Sequence, residues 1–73
     1  MNIYRREVIN IVDDIIDMFD VEGLVEHAIS YVSVYHSDVM DFVMYNIEDS
    51  DELTREEYQY LSDRVYNMIE EYI

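Results

Sequence analysis

The side chains able to do chemistry here are two histidines, eight tyrosines and eighteen carboxylates, in a chain of 73 residues with no Cys and no Lys. Imidazole suits acid–base work near neutral pH. His27 and His36 lie nine positions apart. On one continuous helix that separation turns through about 900° and places the rings on opposite faces, so they would not share a site. The lack of Cys removes disulfides and thiolate metal sites together. Ser30, Ser33 and Ser37 stand in no nucleophile motif. Asp49-Ser50-Asp51 opens like a calcium loop, but Leu53 and Thr54 stand where the motif needs an oxygen ligand and then Gly. The residues therefore point away from an enzyme, and no metal or cofactor is expected.

What stands out is charge. Eighteen Asp and Glu face four Arg, for a net charge of −14. A compact chain of this length is about 30 Å across. Duplex DNA carries about 17 charges over that distance, so the two are comparable per unit length. Direct binding to nucleic acid is disfavoured. A basic protein partner is favoured, with fast and salt-sensitive association.

The arrangement of the acids argues for more than solubility. A helix that only needs to be soluble interleaves both signs, and Lys is missing. Asp17 and Asp20, Glu48 and Asp49, and Glu70 and Glu71 fall at expected helix C-termini. A negative charge there opposes the helix dipole at a cost of about 0.3–1 kcal/mol. Fold stability alone would not select this pattern. Two groups are the best contact candidates: the ridge Asp13, Asp14, Asp17 and Asp20, and the loop group Glu48, Asp49, Asp51 and Glu52. Of the tyrosines, Tyr35, Tyr58 and Tyr72 fall on apolar stripes, where core packing explains them. Tyr31, Tyr45, Tyr60 and Tyr66 fall off them. Tyr45 and Tyr60 are taken as aromatic contacts beside the acids, since tyrosine couples large area to a polar tip.

The elements that position these groups read as helices. Tyr4, Val8, Ile11, Val12, Ile15 and Phe19 form a stripe at helical spacing, predicting a first helix over about 3–19. Asp20-Val21-Glu22-Gly23 is the first break. Gly23, the sole glycine, is the expected turn residue, and Asp20 is a candidate cap for the next helix. Leu24, Ala28, Val32, Tyr35, Val39, Val43 and Ile47 then follow at steps of three and four, predicting a central helix over about 22–48 around which the rest packs. Ser37-Asp38 could restart it, giving a kink or a split there. Tyr31 to Tyr35 also alternates as a short strand would, but no second strand candidate exists to pair with it. After a loop at 49–53, Thr54-Arg55-Glu56-Glu57 reads as a capping box opening a last helix to about Tyr72. Ile15, Val32, Val43, Leu61 and Val65 are expected in the core.

The fold class is therefore all-α: a single domain over 1–73, a small bundle of three or four helices with short connections. So short a chain builds only a marginal core, which leaves a homodimer open as support. No uninterrupted apolar run resembles a signal peptide or a membrane span, so the expected location is the cytoplasm.

The compact size, the Asp/Glu excess and the Ile/Asn/Tyr-rich composition resemble small phage- or prophage-encoded inhibitors, among them DNA-mimicking anti-restriction and anti-CRISPR proteins. The resemblance lies in composition and helical character. It implies a host-defence nuclease or DNA-binding complex as target and the host cytoplasm as location. Many such proteins contain β-structure, and none is expected here. The reading from the residues is an acidic inhibitor that occludes a basic, nucleic-acid-handling surface. The alternative is a non-catalytic helical module, or an antitoxin-like subunit, that binds through an apolar face.

Overall fold

The computed structural model describes residues 3–73. It is all-α: α1 (Arg6–Phe19), α2 (Val21–Tyr31), α3 (His36–Asn46) and α4 (Arg55–Tyr72), with one 3₁₀ turn at Ser50–Glu52 before α4. No strand occurs among the described residues. The radius of gyration is 11.6 Å.

α1 starts three residues later than its stripe predicts. Tyr4 leaves the helical path and reaches α4. Its hydroxyl donates to Asp63 Oδ2 at 2.6 Å, and its ring meets Tyr60 edge-on at 5.2 Å. Val8 and Val12 are buried, and Ile15, Ile16 and Phe19 pack partly against the core.

The turn into α2 is made by Asp20, not by Gly23. Asp20 takes the left-handed conformation (φ 49°), while Gly23 lies inside the first turn of α2 without a positive φ. The Asp20 carboxylate accepts the Gly23 amide at 3.4 Å, so the expected cap forms. A Cβ on Gly23 would sit 2.5 Å from Asp20 Oδ2. Glycine is there to admit the capping carboxylate rather than to turn the chain.

The long central helix is not formed. The chain breaks at 32–35, ahead of the Ser37-Asp38 restart point, and α2 and α3 are separate helices. Three local causes act together. The amides of Val32 and Ser33 converge on the Ala28 carbonyl at 2.7 and 2.8 Å, which closes α2. The Ser33 hydroxyl accepts the Tyr35 amide at 3.0 Å, a local bond that competes with helix continuation. Val32 and Val34 are β-branched and poor helix formers. Tyr35, not Ser37, is the N-cap of α3, and Asp38 lies in its first turn, where its charge favours the dipole. A continuous helix over 22–48 would run about 40 Å, longer than the 33 Å longest extent of the whole molecule. Breaking it lets Val39, Met40 and Val43 fold back to share a core with Val21, Val25 and Ala28.

α2 and α4 each touch all three of the other helices, and α4 is the longest of the four. Its capping box forms as expected: Thr54 Oγ1 accepts the Glu57 amide at 3.1 Å, and Glu57 Oε1 accepts the Thr54 amide at 3.4 Å. Leu61, Val65 and Ile69 carry its buried face. His36 at the start of α3 meets α4 at Ser62, its Nε2 lying 3.0 Å from the hydroxyl and 3.1 Å from the carbonyl oxygen.

Of the expected core, Val43, Leu61 and Val65 are buried, Ile15 is half-buried, and Val32 is 54% exposed because it belongs to the break. The core is built mainly of valine, and every Tyr and Phe stays at least partly exposed. Tyr35, Tyr58 and Tyr72, expected inside, are exposed: Tyr35 belongs to the break, and Tyr58 and Tyr72 stand near the two ends of α4.

Candidate acidic interface

Both carboxylate groups singled out in the sequence lie at the surface. In the ridge, Asp14, Asp17 and Asp20 are exposed and Asp13 is half-buried. Residues three or four apart on a helix lie about 5–6 Å apart, so Asp13 and Asp17 follow one line on α1 with Asp14 beside it, while Asp20 lies just past the helix in a left-handed conformation. Asp20 has a second duty as the cap of α2.

In the loop group, Glu48, Asp49, Asp51 and Glu52 are all exposed. One tight turn gathers them. Asp49 takes the left-handed conformation (φ 57°), its carbonyl accepts the Glu52 amide at 2.9 Å, and the Ser50 carbonyl accepts the Leu53 amide at 3.3 Å. Four carboxylates thus leave five consecutive residues with the backbone's own bonds already made. The ridge and the loop group are carried by separate elements.

Tyr45 stands beside the loop group on α3 and is 90% exposed, the placement an aromatic contact needs. Tyr60 differs. It packs partly against the core and against Tyr4, so only part of its ring is open to a partner.

The carboxylates are largely free of cations. Among the described residues the ion pair formed is Arg5 Nε with Glu56 Oε2, at 3.9 Å and with both side chains exposed. No helix has a basic residue in its last turn. α1 and α4 carry acids there instead, at Asp17 and at Glu70 and Glu71, while Glu48 and Asp49 come just after Ile47, the C-cap of α3. Where acids meet phenols they act on the phenol. The hydrogen bond to Asp63 holds the Tyr4 hydroxyl above its usual pKa of 10.0, with desolvation and the Asp63 charge adding. Desolvation raises Tyr72 likewise, assisted by the Glu26 and Glu22 charges.

The break between α2 and α3 changes the setting of the histidines. They sit on different helices, so the geometry of a shared helix no longer separates them, yet each has its own surroundings. The His27 ring lies 4.8 Å from Tyr31 and 5.4 Å from Phe42. His36 pairs with Ser62 and meets the Tyr66 ring at 5.6 Å. A serine at hydrogen-bond distance from an imidazole is half of a nucleophile–base arrangement. Here Ser62 is buried in mid-helix, and its own carbonyl oxygen competes for the same nitrogen. The contact staples α3 to α4. Among the described residues no three His, Asp or Glu come together to hold a metal ion.

Sequence reasoning missed one surface. Tyr31, Val32, Val34 and Tyr35 project from the break as exposed apolar side chains. The available signal was the run from His27 to Ser37, eleven residues without a formal charge and the longest such run in the chain.

The chain matches no known protein family, and neither a curated protein nor a solved structure resembles it closely enough to count as a match. No described helix is long and apolar enough to cross a membrane.

Proposed function

We propose that the protein is an acidic inhibitor that occludes the nucleic-acid-binding surface of a basic partner, its carboxylates taking the places of backbone phosphates. One observation carries this reading: exposed carboxylates are grouped on α1 and in the 48–52 turn, and among the described residues neither group forms an ion pair, in a chain of net charge −14. An unpaired acidic group stores repulsion that a basic partner relieves on binding. On α1, Asp13 and Asp17 lie one turn apart, about 5–6 Å, and in the loop four carboxylates leave five consecutive residues. Tyr45 supplies aromatic area at the edge of the loop group, the kind of residue that anchors interfaces. By the compositional resemblance, the target is a host-defence nuclease or DNA-binding complex of the anti-restriction or anti-CRISPR setting.

The test is capture from host lysate at low and high salt, followed by competition with duplex DNA for the partner recovered. Steep loss of binding with salt, together with displacement by DNA, is the expected result. A partner held equally at both salts and indifferent to DNA would overturn the reading. A second reading has one observation in its favour. The exposed apolar residues of the α2–α3 break suit an interaction module whose binding tolerates salt.

A further inference from the structure

We propose that the α2–α3 break and the adjoining end of α4 form the face through which two copies of this chain associate. The inference is independent of the inhibitor reading above. Tyr31 and Tyr35 are 79% and 71% exposed, and Val32 and Val34 are about half exposed. Val34 continues into an open groove of about 440 Å³ that Tyr66 and Ile69 of α4 also line. Val34 joins the break to this groove, which is mainly apolar but also lined by His36 and Glu70.

Its occupant follows from charge. Two bodies of −14 repel wherever their acids face each other. The uncharged run from His27 to Ser37 is where a second copy can approach without opposing carboxylates, with Glu26 and Asp38 the first charges beyond its ends and Glu70 at the rim of the groove.

The area fits as well. A tyrosine offers about 150–250 Å², and a valine about 60–120 Å² at about 25 cal/mol per Å². At the observed exposures the two tyrosines and two valines of the break, with half-exposed Tyr66, present on the order of 500 Å². That is at the top of what a monomer normally leaves bare, about 300–600 Å². A standard interface takes about 800 Å² from each partner, and homodimer interfaces are about 65% apolar, which again is about 500 Å². The surface is also set in advance. The Tyr31 ring is held against His27 at 4.8 Å, and Ser33 Oγ fixes the Tyr35 amide at 3.0 Å. The backbone of the break and the Tyr31 ring are thus held in place, which lowers the ordering cost of association.

Sedimentation equilibrium of the unmodified chain at neutral pH tests this. Self-association to twice the 8.9 kDa chain mass is expected. It should strengthen as salt rises from about 0.1 M to about 1 M, because screening shortens from about 10 Å to about 3 Å. That is the opposite sign from binding to a basic partner. The variant Tyr31→Ser/Tyr35→Ser should associate at least tenfold more weakly while keeping its helical circular dichroism. Val34→Asp, a single surface change, should do the same and decides the matter if the double variant unfolds. A chain that stays monomeric at every concentration and salt, or a dimer indifferent to Val34→Asp, would overturn the inference. A lasting monomer would assign the face to some other partner.

Discussion

Leu61→Ala and Val32→Ala, compared side by side, test the packing most sharply. Both residues sit on apolar stripes in the sequence. Leu61 is fully buried on a helix that touches all the others, whereas Val32 is more than half exposed in the break. Truncating a buried leucine costs about 2–5 kcal/mol, set by how far the site collapses around the cavity. Leu61 should fall in the upper half of that range, because its buried neighbours are mainly valines, too short to reach into the space. Total stability for a chain of this length is about 4–11 kcal/mol, so the variant should be close to unfolding. Val32→Ala should stay within about 0.5 kcal/mol, as surface changes do. Urea unfolding followed by circular dichroism gives both values from shifts in midpoint at constant slope. A Val32→Ala cost approaching that of Leu61→Ala would mean that α2 and α3 are one helix, and the account of the break would be wrong.

Other expectations follow from single contacts. Asp20→Ala should cost about 1–2 kcal/mol, through loss of the α2 cap and a side chain left in a left-handed conformation. Asp20→Gly should be near neutral, since glycine tolerates that conformation and is an acceptable cap; equal losses in thermal melts would contradict this. Added salt at neutral pH should raise the melting temperature by screening the repulsion among carboxylates, and a flat or falling value would show that the charges are not in conflict. The raised Tyr4 phenol should ionise later than a free tyrosine. The native state then holds its proton more tightly, so this contribution to stability is fully present below about pH 10 and is lost as pH rises through the folded value. In a phenolate absorbance titration Tyr4→Phe should remove a late-titrating group, and an unchanged curve would rule out the bond to Asp63.

Periodicity and capping chemistry made the ends of the chain readable. The Thr54–Glu57 box and the last helix to Tyr72 formed as local patterns predict, and the α1 stripe formed in part: Val8 and Val12 are buried, while Ile11 is exposed and Tyr4 lies outside the helix. The α2–α3 break was hidden because its cause is partly global. The stripe from Leu24 to Ile47 has faultless helical spacing, and the local bonds at Ala28 and Ser33 act together with the need to fold Val39 and Val43 back onto Val25 and Ala28 to stop it running straight. The role of Gly23 was misread for a related reason. Glycine suggests a turn, but what its position needed was space for the Asp20 carboxylate, and that lies in another residue's side chain. The tyrosines expected inside were misplaced because the stripe records spacing and not where a helix ends: Tyr35 falls in the break, and Tyr58 and Tyr72 fall near the ends of α4. The acidic groups were legible as charge and spacing. The neutral, aromatic break was also written in the sequence, as an eleven-residue gap between charges, but helical periodicity masked it.

The most direct test of the phosphate-mimic reading is the affinity of the captured partner for a variant with its loop group neutralised: Glu48→Gln, Asp49→Asn, Asp51→Asn and Glu52→Gln together. One exposed ion pair is worth little, typically under about 1 kcal/mol, so the group is changed as a unit. The substitutions keep size and remove charge, and the fold should persist or gain stability. Binding should fall at least tenfold, about 1.4 kcal/mol, and its dependence on salt should become shallower. Unchanged affinity and an unchanged salt slope, for this variant and for one neutralised along the α1 ridge, would contradict the account.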